Sequence, residues 1–132
     1  VAVYRSPDDP ERLLMVWLTV SEVRSAHETP GVAVAGLLEA HRERGDVAQV
    51  TLPAGPAAVV VTEEALALHV GELSAPVLRR DVTAWVPDPF GTRLAVISLA
   101  TNSWQDWDHV CELALALFDS LDWAPAPEVS RT

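Results

Sequence analysis

VLRRDVTAWV (77–86), PDPFG (87–91), TRLAVISLAT (92–101) and NSWQDWDHVCELALALFDSLDW (102–123) form a continuous stretch around which the chain is organised. Val77, Val82 and Val86, with Thr83 and Trp85, give the first piece strong strand character. Pro87 to Gly91 turns the chain, and Leu94 to Leu99 is apolar except for Ser98, the pattern of a strand covered on both faces and central in its sheet. Beyond Thr101-Asn102-Ser103, the residues Trp107, Val110, Cys111, Ala114, Leu117, Phe118 and Leu121 recur every three or four positions. That spacing predicts an amphipathic helix.

Working outward, Val1 to Tyr4 reads as a short strand, followed by Ser6-Pro7-Asp8-Asp9-Pro10 as a turn. Leu13 to Val20 is almost wholly apolar and bounded by turn signals, which favours a buried strand. Thr29 can cap a helix with Pro30 at its first position. Val34, Leu37, Leu38 and His41 then share a face, Arg42 and Arg44 complement the helix dipole, and Gly45 ends it, so a helix is expected over 30–44. Two short strands, Val47 to Leu52 and Ala57 to Thr62, flank Pro53-Ala54-Gly55-Pro56. Glu63 to Val70 fits both a helix, by its Ala and Leu content, and an edge strand, by its alternation, and both readings stay open. The tail 124–132, rich in proline and poor in apolar surface, is expected to fray outside a single domain over 1–123.

The order strand-strand-helix, four strands, helix predicts the α+β class, an antiparallel sheet with helices packed on it. Composition agrees, with 49% hydrophobic and 21% charged residues in 132 positions. Nineteen acidic groups against nine basic ones, all arginine, leave a formal net charge of -10. That balance disfavours nucleic acid and suits a basic protein partner. Arginine in place of lysine, with abundant Ala and Pro, suggests a high-GC bacterial coding sequence. One cysteine, no apolar run of roughly 18 residues and no secretory pattern at the start point to a reducing cytoplasm and no membrane span.

The segments PAGPAAVVV (53–61) and VTAWVPDPFGTRLAVISLAT (82–101), with the acidic helix ending in SLDW (120–123), resemble bacterial PsbP-like proteins over the C-terminal two-thirds of the chain. The resemblance implies a small α+β sandwich and a protein-binding or assembly role without catalysis. It transfers no catalytic motif.

The densest polar cluster is Ser103-Trp104-Gln105-Asp106-Trp107-Asp108-His109. Ser103 is placed to cap the last helix, with Asp106 and Asp108 near its positive end. Trp104 lies out of phase with the apolar stripe and Trp107 in phase, so Trp104, with Asp106 and Asp108, forms the predicted partner-binding edge, while Trp107 is expected in the core. Asp108, His109 and Glu112 share a helix face but supply too few convergent ligands for a metal. Cys111 lies on the apolar face in acidic surroundings, an unfavourable setting for a thiolate. His27, His41 and His69 belong to no triad motif, no GxSxG, GxGxxG or P-loop occurs, and Arg79-Arg80 point to opposite faces of a strand. The expectation is a cofactor-free, non-catalytic accessory or interaction domain with a protein partner, in which an exposed strand edge would also allow a homodimer. The alternative is a small-molecule carrier or enzyme with a pocket between sheet and helices, for which Trp17, Trp85 and His69 are the candidate lining.

Overall fold

The computed structural model describes residues 2–9 and 11–123, and the expected tail 124–132 lies outside them. Strand β1 (Ala2–Arg5) and strand β2 (Leu13–Arg24) are followed by helix α1 (Pro30–His41) and then by β3 (Asp46–Leu52), β4 (Gly55–Val70), β5 (Leu73–Pro87) and β6 (Arg93–Thr101). A single 3-10 turn (Trp104–Asp106) leads into α2 (Trp107–Asp119). All six strands form one antiparallel sheet in the order β1-β2-β6-β5-β4-β3. The α+β class and the element order expected from the sequence are those observed, and the LAVISL strand sits inside the sheet between β2 and β5.

Directly opposed residues of antiparallel strands share a face, so the registers carry one face across the whole sheet. On one side Val16 (β2), Ile97 and Leu99 (β6), Val82 and Ala84 (β5), Ala57 (β4) and Leu52 (β3) meet Val110, Ala114 and Phe118 of α2 in the main core. On the other side α1 packs over β3, β4 and β5. There Val34 is fully buried, Ala58 and Val60 lie beneath, and the His41 ring stacks 5.2 Å from that of Trp85. The sheet is thus a middle layer between two helices.

Several boundaries differ from the expectation for local reasons. Helix α1 stops at His41, whose Nδ1 pairs with the Leu37 carbonyl, and residues 42–44 form a turn. Gly45 serves a different purpose from helix termination: a Cβ there would collide with the Val61 carbonyl oxygen of β4, so glycine permits the close approach that starts β3. Strand β2 runs to Arg24 because β6 pairs with it residue by residue through Arg24↔Arg93. Gly55 and Pro56 belong to β4, which leaves Pro53 and Ala54 as a two-residue hairpin turn.

The ambiguous segment 63–70 is strand. It extends β4, and LSAP (73–76) extends β5, around a turn of Gly71 (φ 61) and Glu72. Positive φ at the first of two turn residues suits the twist of a hairpin, and glycine adopts it without steric cost.

Candidate interaction surfaces

The start of α2 is only partly as expected. Trp104 is 57% exposed and Trp107 half-buried against the core, so the two tryptophans divide as their helical phase indicates, though Trp107 is less enclosed than a core residue. Its ring is instead covered by the Arg80 guanidinium, 5.2 Å from the ring centre, an arrangement that attracts a cation to the π face. Asp108 is exposed, as a partner contact requires.

Asp106 corrects the expectation. Its side chain is fully enclosed, and the carboxylate accepts from Ser6 Oγ (2.5 Å), Arg12 Nη2 (2.8 Å) and Arg12 Nε (3.2 Å). A carboxylate so occupied joins the loop after β1 to the start of α2 and has no free face for a partner. The Arg12 hydrogen bond, with help from Ser6, holds its pKa below the usual carboxylate range against the opposing effect of burial. Ser103 does not cap the helix through its side chain either. The chain enters α2 by the 3-10 turn, and the Ser103 amide donates to Thr101 Oγ1 (3.0 Å).

The surface that sequence reasoning missed is the far end of the β4–β5 hairpin. Strand β3 pairs with β4 only as far as Val61, and β6 pairs with β5 only from Arg80 onward, so residues 64–79 pair solely with each other. This arm contains seven cross-strand pairs and projects roughly 24 Å at about 3.4 Å per residue. Leu66, Leu68 and Val70 lie opposite Val77, Ala75 and Leu73, so beyond the Glu64–Arg79 pair at its base one face is apolar. Leu68 is 54% exposed, Val70 65% and Leu73 76%. The base is fastened by an Arg80–Glu63 ion pair and by Thr62 Oγ1 donating to Asp81 (2.7 Å). Thr101, opposite Arg80, leads within three residues to Trp104, at the end of the sheet from which the arm projects and where the chain passes to the α2 side, while the arm's apolar row continues the side that α1 covers.

A second polar cluster lies at the opposite end of the sheet. The Asp88 carboxylate accepts from the amides of Gly91 (2.8 Å) and Thr92 (3.0 Å) and from Thr92 Oγ1 (2.8 Å). Burial pushes its pKa up, but these hydrogen bonds outweigh burial and the net shift is downward. His27 Nε2 lies 2.9 Å from the Asp88 carbonyl oxygen and His27 Nδ1 2.8 Å from Ser25 Oγ. Placing the ring proton on Nε2 toward that carbonyl leaves Nδ1 to accept from the serine hydroxyl. A serine, an imidazole and Asp88 are thereby brought together, a grouping hidden in the sequence because Asp88 lies 61 residues beyond His27. Yet the carboxylate is committed to the turn, and the Ser25 and His27 amides donate to the Thr92 and Gly91 carbonyls. The cluster fastens the end of β2 to the β5–β6 turn.

Trp17, Trp85 and His69 are not brought together: Trp85 stacks on His41 beneath α1, Trp17 lies on β2, and His69 lies on the arm. Burial, reinforced by the charge of Asp108, raises the pKa of the Cys111 thiol, the opposite of nucleophile activation. Among the described residues no three His, Cys, Asp or Glu side chains are grouped to hold a metal, and no helix is long and apolar enough to cross a membrane. No family model, curated protein or solved structure matches the chain.

Proposed function

We propose that the chain is a non-catalytic interaction module that docks a protein partner through the apolar face of the 64–79 arm, with Trp104 as a flanking contact. The observation that carries this is the exposure of Leu66, Leu68, Val70 and Leu73 on a ribbon whose two strands pair only with each other. Two strands alone are marginally stable in water, and a contiguous exposed apolar row marks a contact surface. Trp104 adds a large apolar area with one hydrogen-bond donor, the composition of an interface anchor. The PsbP-like resemblance belongs to the same proposal, supported by its quoted segments and by the sheet-and-helix class, and it points to an accessory or assembly role.

The test is quantitative affinity capture from native lysate with the tagged chain, beside a Leu68→Ser/Leu73→Ser variant and Trp104→Ala. Partners enriched by the parent chain should be depleted at least about tenfold by the double variant. Equal enrichment by parent and double variant would remove the arm from recognition.

One observation favours a second reading, a small-molecule carrier. A cavity of about 610 Å³ opens between α1 and the β2–α1 connection, lined by Val32, Ala33, Leu37 and Leu94 with His27 at its wall. A saturable, selective rise in melting temperature with a metabolite would support that reading, because a ligand that binds only the native state stabilises it.

A further inference from the structure

The open edge of β2 is the second unpartnered surface, independent of the arm. Strand β1 pairs with β2 only from Leu13 to Val16, so residues 17–24 have β6 on one side and no strand on the other among the described residues. A free strand edge presents unpaired amides and carbonyls, and proteins usually blunt it with proline, lysine or a bulge. The segment WLTVSEVR contains no proline or lysine, and its register with β6 is one-to-one throughout.

Beside this edge, Leu18 and Val20 are 47% and 66% exposed. They line an apolar groove with Ile97 of β6 and with Leu117 and Leu121 at the end of α2. Two cavities of about 340 and 400 Å³ share Val20, Leu121 and Asp122, so the groove is continuous along the strand.

Its charge is mainly negative, with exposed Arg24 at the end of β2 the exception. The last turn of α2 contains no basic residue, and Asp119 and Asp122 add to the partial negative charge of the helix C-terminus. The one arginine lining the groove, Arg93, is taken by Glu22 at 2.8 Å and lies over the Trp123 ring at 5.8 Å.

We infer that the β2 edge binds an extended peptide segment whose groove-facing residues, every second position, are apolar with one basic residue among them. The segment adds as a further antiparallel strand: its backbone completes the unpaired edge, its apolar side chains at every second position enter the groove beside Leu18 and Val20, and a basic side chain on that same face, two positions away, reaches Asp122 at the end of α2. Main-chain bonds supply affinity and alternate side chains supply selection, as in strand addition generally. The net charge of -10 speeds encounter with such a segment and opposes a second copy of the chain.

The experiment is fluorescence anisotropy of the full chain with an acetylated seven-residue peptide, Thr-Lys-Thr-Val-Thr-Val-Thr, whose lysine and two valines share one face of the strand. Saturable binding that weakens with salt is expected, with a loss of at least about tenfold when glutamate replaces lysine or when two prolines remove ladder donors. Val20→Lys and Asp122→Lys, both checked for native circular dichroism, should each weaken binding at least about tenfold. Glu43→Lys on the α1–β3 turn changes charge equally and should stay within about twofold. Peptide should slow hydrogen exchange at the amides of 17–24. No binding, equal binding of the proline peptide, or equal loss with Glu43→Lys would overturn the inference. So would slow exchange at that edge in the free chain, which means it is already covered, by a second copy if the protection rises with concentration and by the chain's own segment after Trp123 if it does not. The Leu68→Ser/Leu73→Ser variant should retain peptide affinity, so failure of the arm proposal and failure of this one are distinguishable.

Discussion

Trp104 and Trp107 stand three residues apart and differ in what surrounds them. Trp104→Ala removes a 57% exposed ring and should change unfolding free energy by less than about 0.5 kcal/mol in urea titration. Trp107→Ala opens a gap beneath Arg80 and against the core. It should cost about 2 kcal/mol, below the range for a fully buried aromatic because the ring is half-buried. Asp106 is the more instructive residue. Asp106→Asn keeps the shape but loses the charge that Arg12 and Ser6 are arranged around, so it should lower the urea midpoint with the slope of the transition unchanged. Cys111, with its raised pKa, should react with iodoacetamide at pH 7.5 more slowly than a free cysteine peptide. Equal rates would contradict its half-buried, acidic setting.

At the scale of elements, β6 and the arm represent opposite cases. Strand β6 is paired on both sides, and Ile97 is 5% exposed beneath α2, so Ile97→Asp places an unpaired carboxylate in the main core. No cooperative thermal transition should remain in circular dichroism. The arm has no such support. Leu68→Ser/Leu73→Ser should leave the melting temperature within a few degrees while reducing binding of an apolar dye such as ANS, because those side chains stabilise little in the body and expose much. A large fall in melting temperature would mean that the arm contributes to the core.

At the scale of the whole molecule, two buried carboxylates fasten opposite ends of the sheet: Asp106 at the end where α2 begins and Asp88 at the β5–β6 turn. Both have pKa values lowered by folding. A carboxylate with a depressed folded pKa contributes stability that is fully present above its unfolded value, near 3.9, and is lost as pH falls through the folded value. Urea midpoints should therefore be level from about pH 7 to 5 and decline below about pH 4. Asp106→Asn should make that acid decline shallower, since one of the two linked groups no longer titrates.

The sequence by itself determined the class and order of the elements. Valine-rich alternation, Pro/Gly turns and the three-and-four repeat from Trp107 to Leu121 are local signals, and local hydrogen bonding obeys them. It also separated Trp104 from Trp107, because helical phase is a property of spacing alone. Only the tertiary structure decided what each polar residue near those elements does. Asp106 reads as a surface acid until Arg12, 94 residues away, is brought against it, and Ser25, His27 and Asp88 converge only when β2 ends beside the β5–β6 turn. EEALALHV satisfied helix and strand templates equally, and pairing with residues 73–80 settled it, since cross-strand partners outweigh weak intrinsic preference. Which edge stays open follows from where β1, β3 and β6 stop, and the end of one strand is set by its neighbour's register more than by its own residues.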